Sequence, residues 1–108
     1  MRAKGWYHPS VCNPPHKVTH PFYMRWLARQ FEKSGWDTSC PALVGYDHDG
    51  KIQLLSGSHR WAAAAMTNTL LPVVVYDYQT VRNAWGDTDK WKAIMEGHDF
   101  EHKLPGRS

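Results

Sequence analysis

Between residues 20 and 35 the apolar positions repeat at i, i+3, i+4 and i+7, which is the stripe that an amphipathic helix buries. These positions are Met24, Leu27, Ala28 and Phe31. The opposite side of the helix would carry Arg25, Arg29, Glu32 and Lys33. We expect Thr19 or His20 to cap the start, with Pro21 in the first turn. Gly35 is placed to end the helix in a left-handed conformation.

Two apolar runs, at residues 41–46 and 51–55, predict a pair of strands. Residues 47–50 between them read Asp-His-Asp-Gly and tolerate the dihedral angles of a hairpin turn. Four consecutive alanines favour a helix over residues 60–67, and a Val-Val-Val-Tyr run favours a buried strand over residues 72–77. This order predicts an α/β (α+β) domain with a small mixed sheet and flanking helices.

The two ends of the chain have weaker patterns. Residues 1–16 include Pro9, Pro14 and Pro15, so we expect an irregular arm, with a short extended piece near Val18. Residues 17–78 would form the core. Residues 79–108 would form a helical extension and tail, with one or two short helices around Gly86 and a frayed end.

Composition bounds the class of protein. The 108 residues suffice for one core, to which six Trp and five Tyr supply large rigid apolar pieces. No apolar run has the roughly 18 residues of a membrane helix, and no secretory pattern follows Met1, so we expect a cytoplasmic protein without a membrane partner. Cys12 and Cys40 lack zinc-type spacing and are expected to be reduced thiols, with a disulfide or a reactive thiol as alternatives.

The net charge of +3 is unevenly distributed. Residues 1–36 carry six Lys and Arg against Glu32 alone, whereas residues 37–108 carry seven against nine acidic residues. A basic end suggests an anionic partner, and a solvated helix face explains Arg25 and Arg29 equally well. The Asp47-His48-Asp49 tip and the pair His98 and His102 have metal-ligand types, but we expect no metal site at either.

Residues 54–63, Leu-Leu-Ser-Gly-Ser-His-Arg-Trp-Ala-Ala, carry the most informative chemistry. A strand passes through Gly57 directly into a helix start, where free backbone N–H groups and the helix dipole attract anions. Arg60 adds a guanidinium fork suited to phosphate, His59 a titratable group, and Ser56 and Ser58 their hydroxyls. Alternatively a serine only caps the helix and Arg60 bonds a carboxylate, since Gly-x-x-Arg is a short pattern.

Together with its surroundings, this segment resembles the ParB/sulfiredoxin superfamily over about residues 17–78. In that family the Gly-x-x-Arg element, here residues 57–60, lies on the phosphates of a nucleotide, which is CTP in ParB clamps and ATP in sulfiredoxin and the free-serine kinases. The resemblance implies that Gly57, Ser58, His59 and Arg60 contact phosphate and that Mg²⁺ accompanies ATP or CTP. It also suggests a stand-alone version of the kind that phages and mobile elements carry.

Departures from the family restrict the expected activity. Sulfiredoxin has a nucleophilic Cys immediately before its His-Arg pair, where this chain has Ser58, so sulfinic acid reductase activity is not expected. The residues that sulfiredoxin's first helix offers to ATP fall near Tyr23, Trp26 and Gln30, and Arg25 or Arg29 would have to substitute. Further secondary contacts are expected from the aromatic rings of Trp26 and Trp61 and from His20.

The sequence therefore predicts a nucleotide-binding domain, which could be a hydrolase or phosphoryl transferase. In that case Arg60 would stabilise charge, Mg²⁺ would bridge phosphates, and His59 or Ser58 would act nearest to the chemistry. The alternative is a non-catalytic module that binds DNA or a host protein through its basic part. A nuclease is a third reading, for which no clustered carboxylates are visible.

Overall fold

The computed structural model describes residues 2–37, 40 and 42–100. It contains five strands, four α-helices and a 3-10 helix at Pro9–Val11. The strands are β1 (Arg2–Tyr7), β2 (Cys12–Asn13), β3 (Leu43–His48), β4 (Lys51–Leu54) and β5 (Leu71–Tyr76). The helices are α1 (Pro21–Ser34), α2 (Ser58–Thr67), α3 (Tyr78–Asn83) and α4 (Thr88–Phe100).

The strands form one mixed sheet in the order β1-β5-β3-β4-β2. β5 pairs antiparallel with β1 and parallel with β3, while β4 pairs antiparallel with β3 and parallel with β2. The interior strand β5, between β1 and β3, is buried along its whole length, which explains its nearly continuous apolar run. The predicted α/β (α+β) fold, a small mixed sheet with flanking helices, is confirmed.

Side chains alternate along β5 between two apolar layers. Val73 and Val75 belong to the layer that contains Leu27 and Phe31 of α1 and two alanines of α2, at positions 63 and 64. Val74 and Tyr76 belong to the opposite layer, with residues from the two C-terminal helices. Helices therefore cover both faces of the sheet, and the α1 and α2 layer holds the segment with the candidate chemistry.

The predicted helix α1 and the hairpin are present. His20 precedes α1 but makes no side-chain capping bond, and Gly35 ends the helix with φ +70° and ψ −156°, a positive φ outside the predicted left-handed region. Asp49 and Gly50 both have positive φ, at 50° and 78°, as a two-residue hairpin turn between right-twisted strands requires. Helix α2 begins at Ser58, two residues earlier than expected, and the start of the strand predicted at residue 41 lies outside the described residues.

The expectation of an irregular N-terminal arm is wrong for much of its length. β1 occupies one edge of the sheet and β2 the other, while no strand forms near Val18. The prolines all follow β1, and its partner β5 lies about 70 positions later, with Arg2 opposite Tyr76. Local pattern could not reveal this pairing because the apolar contacts that stabilise β1 come from a distant strand.

Both cysteines are free thiols, Cys12 buried and Cys40 half-buried. Burial raises the pKa of the Cys12 thiol to about 11, because desolvation disfavours the thiolate. Within the parts of the chain that the structure describes, no helix is long and apolar enough to cross a membrane.

Cys12 should resist alkylation in the folded protein. At pH 8 a thiol with a pKa of about 11 is only ~0.1% thiolate, and the side chain is 2% exposed. We expect a Cys40→Ser variant, in which Cys12 is the remaining thiol, to react with a thiol reagent only after addition of denaturant. Rapid, complete labelling of the native variant at pH 8 would contradict the described burial.

Candidate functional site

A sharp corner joins β4 to α2 at residues 55–57. The N–H of Leu55 still donates to the carbonyl of Val44 (2.8 Å), and the N–H of Trp61 donates to the carbonyl of Gly57 (2.8 Å) as the first bond of α2. The N–H groups of residues 58–60 come before that bond and have no acceptor within the helix. They make the corner a suitable place for a negatively charged group.

Gly57 is required by the shape of this corner. Its φ of +89° and ψ of 31° lie in the left-handed region, which L-residues rarely adopt. A Cβ atom at this position would stand 2.6 Å from Cδ2 of Leu43, a buried side chain on β3. Glycine is therefore needed at this position both for the positive φ angle and for the close packing against Leu43.

Ser58 ties the N-terminal segment to the corner. Its hydroxyl Oγ accepts a hydrogen bond from the N–H of His16 (3.1 Å), and the side chain is 2% exposed. The bond fixes the chain just before α1 against the first turn of α2. Ser58 thus has a defined structural contact, and the catalytic role predicted for it remains a prediction.

His59 faces the N-terminus of α1. Its Nε2 accepts from the N–H of His20 (3.0 Å) and from the N–H of Thr19 (3.2 Å). This arrangement assigns the ring hydrogen of neutral His59 to Nδ1, since Nε2 serves as the acceptor. The ring of His20 lies 5.4 Å from the His59 ring, between centroids, and those of Tyr23 and His16 lie 5.8 and 6.2 Å away.

Arg60 reaches from α2 toward the C-terminal end of α1. Its guanidinium carbon lies 5.4 Å from the centroid of the Trp36 ring, a cation–π arrangement, and Nη2 is 3.6 Å from Sγ of Cys40. The side chain is half-buried. Trp36 and Cys40 hold the guanidinium beside the corner without enclosing it.

Two adjoining cavities open at this place. The first, about 250 Å³, is the corner itself and is lined by His16, Tyr23, Leu43, Ser56, Gly57, Ser58, His59 and Arg60. The second, about 590 Å³, lies along α1, and its lining includes Trp26, Gln30, Trp36, Asp37 and Cys40. Tyr23 and Arg60 line both cavities, so the two lie side by side.

Some of the predicted secondary contacts lie at the two cavities, and others lie away from them or have contacts of their own. Trp26 lines the larger cavity and His20 lies beside His59. Arg25 and Arg29 are exposed and line neither cavity. The indole N–H of Trp61 donates to the carbonyls of Pro9 (2.9 Å) and Cys12 (3.1 Å), so Trp61 anchors the N-terminal segment.

Sequence reasoning missed Trp36 and Cys40 as members of the site. Trp36 follows the end of α1, and its ring stacks on that of Phe31, with 5.8 Å between centroids. No short motif marks either residue, because their relation to Arg60 spans 24 and 20 positions. Among the residues that the structure describes, no group of three or more His, Cys, Asp or Glu is placed to hold a metal ion.

Comparison with known proteins gives similarity in structure alone. No family model and no curated sequence matches the chain. The chain is similar to sulfiredoxin from Arabidopsis thaliana, with a TM-score of 0.58 and 13% identity, over 77% of this chain and 97% of that one. It is similar, with a TM-score of 0.59 and 14% identity, to the C-terminally truncated chromosome-partitioning protein ParB from Caulobacter crescentus complexed with CTP-gamma-S.

The match to ParB covers 88% of this chain and 52% of that one, so the present chain spans about half the length of that protein. At 13% and 14% identity, the likeness to both solved structures concerns the fold alone. The chain has the ParB/sulfiredoxin-like fold.

Proposed function

We propose that this protein binds a nucleotide, with the phosphates at the corner of residues 57–60 and the base in the larger cavity. The observation that carries the proposal is that the two cavities adjoin, with Arg60 and Tyr23 on the lining of both. The site has a polar, cationic end and an aromatic end, which match the phosphates and the base of a nucleotide. The structurally similar ParB is complexed with the nucleotide analogue CTP-gamma-S, which supports this assignment.

At the corner, three kinds of donor would serve the phosphates. The backbone N–H groups at the start of α2 point toward the corner, Arg60 supplies a fork of charged donors, and His59 lines the cavity. Charge-assisted bonds of this kind are roughly twice as strong as neutral ones. Ser56 also lines the corner and would offer its hydroxyl.

The larger cavity would hold the base and sugar. Tyr23 and Trp26 present nearly parallel rings, with 6.2 Å between centroids and an interplanar angle of 15°. Such rings stack on any base because every base has a π face. Gln30 and Asp37 line the same cavity and would supply the polar contacts that distinguish one base from another. Its volume of about 590 Å³ lies within the usual range of ligand sites.

Mg²⁺ fits this site only as a companion of the phosphates. No carboxylate is among the described residues that line the corner, and Mg²⁺ is commonly bound by one or two carboxylates together with substrate phosphates. Asp37, on the lining of the larger cavity, is the carboxylate nearest to this role. When bound, the ion would neutralise phosphate charge.

We assign binding, rather than turnover, as the function that the geometry supports best. The Nε2 lone pair of His59 is directed at two backbone N–H groups, which suits a positioning role better than that of a general base. Hydrolysis or phosphoryl transfer, with His59 or Ser58 nearest to the chemistry, remains a prediction that a phosphate-release assay would decide.

A series of ligands with increasing phosphate content tests the proposal. Tryptophan fluorescence should report binding, since Trp26 and Trp36 line the larger cavity. We expect cytidine and adenosine to bind weakly, and the affinity of CTP or ATP to rise with each added phosphate, with competition by inorganic pyrophosphate. Failure of every nucleoside triphosphate to bind, or equal binding of nucleosides and triphosphates, would contradict the placement of phosphates at Arg60.

A further inference from the structure

The side of α1 that faces away from the core carries large aromatic rings in contact with water. Phe22 is 81% exposed and Trp26 54% exposed. Both belong to a stripe that we call the α1 outer face, at spacings i, i+3, i+4, i+7 and i+11 on the helix. The face consists of Phe22, Arg25, Trp26, Arg29 and Lys33.

The core accounts for the other side of the helix and leaves this face unexplained. Leu27, Ala28 and Phe31 are buried and supply the packing of α1 against the sheet. Single exposed apolar residues are ordinary on protein surfaces, whereas exposed aromatic residues grouped with cations mark a binding surface. Four members of this face line neither cavity of the proposed nucleotide site: Phe22, Arg25, Arg29 and Lys33.

Charge identifies the kind of partner. The α1 outer face carries three cations, and Glu32 is the one acidic residue in the whole of α1. Arg25 already lies over the ring of Phe22, with its guanidinium carbon 5.8 Å from the centroid. Flat rings interleaved with guanidinium groups suit a partner that offers π faces and regularly spaced negative charges. An acidic peptide would satisfy the cations and leave the rings without stacking partners.

We infer that the α1 outer face binds single-stranded nucleic acid, its bases stacking on Phe22 and Trp26 and its phosphates pairing with Arg25, Arg29 and Lys33. A duplex fits less well, because its bases are stacked on each other and their π faces are not available to the rings. The inference does not depend on the proposed nucleotide site, although Trp26 belongs to both.

The test uses the whole chain and a fluorescein-labelled oligothymidylate of about ten nucleotides, a length within the range of known single-strand sites. Fluorescence anisotropy at low salt should show saturable binding that is tighter than binding to a duplex of equal length. Phe22→Ala should weaken binding about tenfold through the lost stacking. Trp85→Ala is the matched control, since Trp85 is 78% exposed but lies away from α1, and its loss should change nothing.

The cations have a separate readout in the salt dependence. Replacing both Arg25 and Arg29 by Ala should lower the magnitude of the slope of log K against log salt by about 1.4, which is about 0.7 for each lost phosphate contact. Arg82→Ala on α3 should leave the slope unchanged. Phe22→Ala should also leave the affinity for CTP or ATP unchanged, which separates this surface from the nucleotide site.

Three results would overturn the inference: no binding of the oligonucleotide at low salt, equally tight binding of the duplex, or equal losses in the Trp85 and Phe22 variants. Sedimentation provides a further check on the occupant. A dimer of the chain that Phe22→Ala dissociates, with no effect on oligonucleotide binding, would reassign the face to a second copy of the protein. Circular dichroism of each variant verifies that the fold is retained.

Discussion

Replacing Arg60 by Ala should weaken the binding of a nucleoside triphosphate by roughly 10- to 100-fold, because hydrogen bonds to charged groups contribute about 1.5–3 kcal/mol. Arg60 is the cation at the junction of the two cavities, and the Trp36 ring holds its guanidinium in place. Arg60→Lys should recover only part of the affinity, since an ammonium keeps the charge and loses the planar fork that binds phosphate at two points. Isothermal titration calorimetry of each variant provides the measurement.

Arg82→Ala is the matched control for charge, because Arg82 is an exposed arginine on α3 outside both cavities. Its affinity should equal that of the wild type. Nucleoside binding should be nearly unaffected by Arg60→Ala, since the lost contacts belong to the phosphates. Equal affinities of Arg60→Ala and the wild type for the triphosphate would remove Arg60 from the site and, with it, the main support for the proposed function.

Gly57→Ala should reduce both stability and nucleotide affinity. The left-handed conformation costs an L-residue about 1–2 kcal/mol. Contact of the new Cβ with the buried Leu43 side chain adds about 1–3 kcal/mol of overpacking. We therefore expect the free energy of unfolding to fall by about 2–5 kcal/mol in urea titrations. The affinity for the triphosphate should fall as well, because relief of the clash shifts the N–H groups at the start of α2.

Gly86→Ala separates the dihedral penalty of Gly57→Ala from the cost of overpacking against Leu43. Gly86 also has positive φ, +79°, but a Cβ there would meet nothing within 4 Å. The free energy of unfolding of this variant should fall by about 1–2 kcal/mol, which is the dihedral penalty alone. Its nucleotide affinity should not change. If Gly57→Ala were no less stable than Gly86→Ala, the corner would have more room beside Leu43 than the structure describes.

The candidate site was predictable to the extent that its chemistry is local. The sequence Ser-Gly-Ser-His-Arg between a strand and an alanine-rich helix indicates an anion site, and the structure places Ser56, Gly57, Ser58, His59 and Arg60 on the lining of one cavity. The same reasoning did not reveal that Trp61 anchors the N-terminal segment. Its position beside the motif suggested contact with a ligand, whereas on the helix its indole turns toward the carbonyls of Pro9 and Cys12.

The amino-acid sequence by itself determined α1, the hairpin turn at Asp49 and Gly50, and the corner before α2, because helical periodicity and positive φ angles act within a few neighbouring residues. Only the tertiary structure decided that the N-terminal segment supplies both edge strands and that Trp36 and Cys40 hold Arg60. The same is true of the contact of His59 with the start of α1 across 39 positions. Such contacts depend on which distant surfaces exclude water together, and no short stretch of sequence carries that information.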